Sequence, residues 1–219
     1  RTVMALTQTI PTSSDALIPP SALALGGGFV VWLLVFYTLP RPVCTYVLAH
    51  ELTHALWGWL MGARVLGMSI SKERGSVTLS KTNFLIILAP YFFPLYTALV
   101  VGTYYILSIF YNLDRYYPVW LFLVGFTWGF HFTFTITALM LHQTDVRECG
   151  HLFSYAVIYL FNILGIGLWI VMVSAVSLQQ MIGFLANDFL YTGGRLVRFS
   201  LLAAQTLGNL ISHAINRGG

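Results

Sequence analysis

Charge is what this sequence has least of. Only 8% of its 219 residues are Asp, Glu, Lys or Arg, against about 25% in a soluble globular domain. A surface that poor in charge does not keep a chain dissolved in water. The charges are also clustered, so residues 16–40, 82–113, 116–144 and 149–187 contain none at all. Each of these runs reaches the roughly 20 residues that cross a bilayer. Cysteine is scarce as well. Cys44 and Cys149 are the only two, which excludes a disulfide framework, and both read as small core residues. No basic stripe interleaved with aromatics accompanies the mild net charge of +4, which excludes a nucleic-acid partner. The expected solvent is the lipid bilayer.

What is present organises the chain. Residues 1–3 do not read as a signal peptide, and residues 8–20, rich in Thr, Ser and Pro, predict a flexible lead-in over 1–20. A first helix is predicted over 23–38 and ends at Leu39-Pro40-Arg41-Pro42, where two prolines remove backbone donors. Pro42 can open a second helix over 43–61, closed by Gly62. Residues 63–81 then alternate in strand fashion around Lys72-Glu73-Arg74-Gly75, predicting a β-hairpin. Four Lys/Arg against one Glu place that hairpin on the cytoplasmic side. Residues 82–113 predict a third span, kinked by Pro90 and Pro94. Spans four and five follow at 119–141 and 154–178. Residues 196–215, flanked by Arg195 and Arg198, predict either a sixth span or an interfacial amphipathic helix. The expected fold class is therefore an all-α polytopic membrane protein of five to six transmembrane helices, with a short β-hairpin after the second. Its membrane core covers 21–178 and a C-terminal helix covers 179–219.

The chemistry sits in the second helix, at His50-Glu51-Leu52-Thr53-His54. Residues four apart share a helix face, so the two imidazoles converge. Neutral imidazole suits Zn²⁺, which takes three protein ligands and a water in catalytic sites. Glu51 can reach that water as general base. Composition alone produces this pattern in roughly 0.2% of such chains. A carboxylate deep in an apolar run also costs several kcal/mol, of order, unless it is paired or used. The alternative is a polar cluster that staples helices together.

Asp145 is the expected third ligand. Residues 119–178 number 60, about 20 more than two crossings need, so the Asp145 segment can dip beside helix two. His142 is the rival ligand, and a surface pair of Asp145 with Arg147 is the alternative role. His131 lies fourteen residues before Asp145, roughly 21 Å along a continuous helix, and reads as a hydrogen-bonded packing residue. His151, Glu148 and His213 read as loop or interface groups, and His142 or Glu148 can also steady a ligand. Tyr116, Tyr117 and Trp120 read as an aromatic belt at a span end.

With its His-Glu-x-x-His inside an apolar span, a hairpin following from Gly62-Ala63-Arg64-Val65, and an Asp near a later span, the chain resembles the site-2 protease family of intramembrane zinc metalloproteases. The resemblance covers about residues 43–154. It implies Zn²⁺ held by His50, His54 and Asp145, with Glu51 activating water. The chain departs from the family's pattern in two places. Asp145 is followed by Val146 where the family often has Asp-Gly, and Ala89-Pro90 stands where Gly-Pro is usual; it resembles a divergent branch.

The expected function is therefore a zinc metalloendopeptidase that cleaves a membrane-anchored protein substrate, with membrane-protein partner subunits allowed for. The expected setting is a bacterial inner membrane or its equivalent, with the active site toward the cytoplasm. The strands of the hairpin would grip an unwound substrate by strand addition. A catalytically inactive scaffold or assembly subunit is the alternative, and a metal or proton transporter would need polar groups such as His131 along a full path.

Overall fold

A computed structural model of the chain describes residues 19–71, 74–141, 143–173 and 178–217. It is mostly helical, with one two-stranded hairpin. The described residues fall into two units, 19–169 and 170–217.

In the first unit, α1 spans Pro20–Thr38. Proline at its first position lacks an N–H that would be unsatisfied there anyway. Its buried residues, Gly28, Trp32 and Phe36, recur every fourth position and form one face. That face lies along α5, Tyr117–Met140. The backbones approach so closely that a Cβ at Gly28 would collide with the Phe122 carbonyl, and one at Gly125 with the Leu25 carbonyl. Trp32 Nε1 donates to Thr133 Oγ1 at 2.9 Å, and Trp32, Phe36, Phe130 and Phe134 fill the seam.

Helix α2, Val43–Leu60, starts after Pro42 as the sequence predicts. The hairpin that follows pairs β1, Val65–Ile70, with β2, Gly75–Leu79, antiparallel. It does not extend beyond the end of α2. It folds back along that helix, with Gly75 against Val47 and Glu51, and Leu79 against Gly58. The alternation in β2 explains this, because Gly75, Val77 and Leu79 are its less exposed positions.

The predicted kinked span is two helices, α3 at Phe84–Phe92 and α4 at Leu95–Ser108, bent by 76°. Pro90 is absorbed inside α3, and the break falls at Phe93-Pro94. Asn83 caps α3 by accepting from the Ile86 N–H at 3.0 Å. A 3₁₀ turn at Asp114–Tyr116 leads into α5. After Met140 the chain turns into a five-residue helix, α6, Thr144–Glu148. Gly150, at φ 84°, makes the reversal into α7, His151–Val173. A core of Leu88, Tyr91, Phe92, Ala138, Val146 and Ile158 joins α3, α5, α6 and α7.

The second unit is dominated by α8, Leu178–Arg217, 40 residues long. Its apolar and polar residues segregate at helical spacing.

Among the described residues, three helical stretches are long and apolar enough to cross a membrane: Pro20–Thr38, Asp114–Met140 and His151–Val171. The bent pair α3–α4 makes a fourth if it counts as one span. Helices α2 and α8 do not reach that threshold; His50, Glu51 and His54 lower the hydropathy of the former.

Candidate metal centre

Helix α2 turns His50 and His54 toward one point, their Nε2 atoms 3.2 Å apart. Asp145 arrives from α6, its Oδ2 at 3.2 Å from His50 Nε2 and 3.6 Å from His54 Nε2. The reversal after Met140 delivers it, and Val146, 2% exposed, anchors α6 in the core. Asp145 makes no ion pair with Arg147 among the described residues.

Each of the three groups is held from behind. His54 Nδ1 donates to the Ile86 carbonyl at 2.9 Å. That bond fixes the ring's proton on Nδ1 and leaves Nε2 as a bare lone pair. The Tyr46 hydroxyl lies 3.3 Å from Nδ1 of His50, and the Tyr46 ring stacks on Phe134. Tyr91, fully buried, donates its hydroxyl to Asp145 Oδ2 at 2.8 Å. The Asn162 side chain of α7 donates to the Tyr91 carbonyl at 3.0 Å, securing that tyrosine in turn.

The donor set fits a divalent metal. Tetrahedral zinc with bonds of about 2.0–2.1 Å needs ligand atoms about 3.3 Å apart, close to the observed 3.2, 3.2 and 3.6 Å. His54 Nε2 and an ionised carboxylate both bring only lone pairs. Such atoms converge favourably around a metal ion, or around a proton carried by His50 Nε2. Burial pushes the Asp145 carboxyl up, but hydrogen bonds and charge from the protonated forms of His50 and His54 outweigh it. They hold Asp145 well below the ordinary carboxylate range.

Glu51 lies beside this group without belonging to it. It is 7% exposed, and its carboxylate makes no hydrogen bond among the described residues. Two cavities meet at it. One, of about 510 Å³, runs between the start of α2 and the end of α5, past Tyr46, Val47 and Phe134. The other, of about 310 Å³, is more polar and is lined by His54, Asp145, Glu148 and β2. Gly75 borders both, and a Cβ on it would collide with Glu51.

The remaining sequence candidates sort by position. His142 lies outside the described residues. Glu148 is exposed at the polar cavity. His151 is exposed with its ring near Tyr155, and the side chain of His213 is outside the description. His131 corrects an expectation: it is not hydrogen-bonded through Nε2, which is buried without a partner. It lines a cavity of about 20 Å³ together with His50, Tyr46 and Tyr96, room for one water. That shared cavity sets His131 behind His50, outside the group formed by His50, His54 and Asp145. Cys44 is exposed and Cys149 half-buried, both free.

Sequence reasoning missed Tyr91, Tyr46 and Gly75. Two of twelve tyrosines carry no spacing signal. For Tyr91 the available clue was its place at the proline break. Compared with known protein families, curated proteins and solved structures, the chain matches none.

Proposed function

We propose that this chain is a multi-pass membrane protein and a zinc-dependent endopeptidase acting on a membrane-anchored protein. The observation that carries the reading is the convergence of His50, His54 and Asp145 beside a carboxylate that the fold leaves free. Membrane embedding is supported by three long, apolar helical stretches whose outer faces are apolar, with Val30, Leu34, Leu123, Tyr159 and Leu160 exposed. The Lys/Arg excess at 63–81 supports a cytoplasmic orientation of the site.

Bound at this point, zinc supplies Lewis-acid polarisation of a peptide carbonyl and makes water acidic enough to ionise near neutrality. The chain's own residues do the rest. Glu51 takes the proton from the attacking water and passes it to the departing amine. Tyr91 keeps Asp145 aimed, and the Ile86 carbonyl keeps His54 in the tautomer that binds. β2 lines the polar cavity and keeps one unpaired edge, to which an unwound substrate segment can add. The polar cavity gives water a route to Glu51.

The test is cleavage of single-span model proteins by the purified full chain in vesicles. Wild type should cleave, and Glu51→Gln should not, while keeping its metal. Cleavage by Glu51→Gln at the wild-type rate would refute the assignment. A chain that binds metal and cleaves nothing would point to the scaffold reading instead.

A further inference from the structure

The two cavities that meet at Glu51 carry opposite charge. The larger holds Arg41 and Arg74 and, among the described residues, no acidic side chain except Glu51 at its floor. The more polar one holds Asp145 and Glu148 and no Lys or Arg. Neither arginine pairs with a carboxylate among the described residues. Arg41 lies over the face of Phe36, 4.5 Å from its centroid. Stacking of that kind leaves the in-plane N–H fork free to bind a carboxylate. Between the arginines and the metal centre the walls are mainly apolar, with Val47, Phe134 and Leu141.

Resting on the endopeptidase reading, we propose that this groove selects substrate segments in which an Asp or Glu adjoins an apolar stretch. The carboxylate meets Arg41 and Arg74, and the apolar residues fill the space toward Glu51. The other cavity repels the same carboxylate through Glu148, so the charge also sets the direction in which the segment lies. A peptide fits better than a lipid phosphate because of where Arg74 stands. It is exposed, yet it lines the same cavity as His50 and Glu51, so a segment that reaches the reacting groups through this cavity passes the guanidinium.

The experiment uses the full-length chain in phosphatidylcholine vesicles. The probes are single-span peptides that share one apolar segment and carry Glu, Gln or Lys at successive flanking positions. Binding is read on the metal-loaded Glu51→Gln chain, and cleavage on wild type. At one position the Glu peptide should bind about 10-fold more tightly than the Gln peptide, a usual margin for a charge-assisted contact. The Arg41→Gln/Arg74→Gln pair should erase that preference, and Arg41→Glu/Arg74→Glu should pass it to the Lys peptide. Equal binding of all three peptides, or a preference that survives the double Gln substitution, would overturn the proposal. So would a double Gln substitution that, in a parallel set of vesicles containing phosphatidylglycerol, weakens only the retention of that lipid. Charge-selective binding without cleavage would sink the endopeptidase reading alone, and cleavage blind to charge would sink only the groove assignment.

Discussion

The α1–α5 seam and the corner where α2, α3 and α6 meet are both places of close approach, built by opposite means. The seam is shape. Gly28 and Gly125 let two backbones touch, and aromatic rings with one Trp32–Thr133 hydrogen bond fill what is left. The corner is polarity. His50, His54 and Asp145 point lone pairs at one spot, with Tyr91, Tyr46 and the Ile86 carbonyl behind them. Packed small residues stabilise helix contacts without any ligand. Converging acceptors cost free energy until a cation joins them. Damage to the seam should therefore appear as lost stability, and damage to the corner as lost metal or lost turnover in a folded chain.

Four substitutions sharpen that contrast. Glu51→Gln should lower kcat about 10³-fold, within the range of a lost general base, with melting temperature and metal content unchanged. Gly125→Ala forces a Cβ into the Leu25 carbonyl. It should cost about 1–3 kcal/mol of stability, as overpacking does, read as a lower melting temperature. Metal affinity of the molecules that remain folded should not change. Tyr91→Phe removes the hydroxyl on Asp145 and should weaken metal binding about 10-fold or more, typical of a lost ligand support, measured by competition with a chelator. Gly75→Ala probes a seam-like contact inside the corner. It should push β2 off Glu51 and slow cleavage about 10-fold through misplacement of the carboxylate, with the metal retained. Loss of metal in Gly75→Ala, or of metal affinity in Gly125→Ala, would erase the distinction between the two regions.

Much of the local structure was legible because proline and glycine mark it. Pro42 opens α2, Gly150 makes the turn before α7, and Pro94 breaks the third predicted span into α3 and α4. The alternation after Gly62 gave the hairpin, and the return of Asp145 to His50 was expected, though the connection that makes it is only residues 141–150, the helices on either side taking up the rest of the length. What was not legible is tertiary. That β2 lies along α2 depends on Gly75 meeting Glu51, a contact no local pattern encodes. Tyr91 and Tyr46 support the ligands through the placement of α3 and α2, and nothing in their spacing sets them apart from the other tyrosines. Counting along the helix kept His131 out of the ligand group, but its place in the small cavity behind His50 depends on how helices pack, which no spacing encodes.

Metal analysis of the purified full-length chain tests the central claim most directly, comparing wild type with Asp145→Ala after identical dialysis against a weak chelator. The account predicts about one zinc per wild-type chain. It predicts very little in Asp145→Ala, whose helical content should be unchanged. A metal-free wild type, or an Asp145→Ala chain that keeps its full complement, would contradict it.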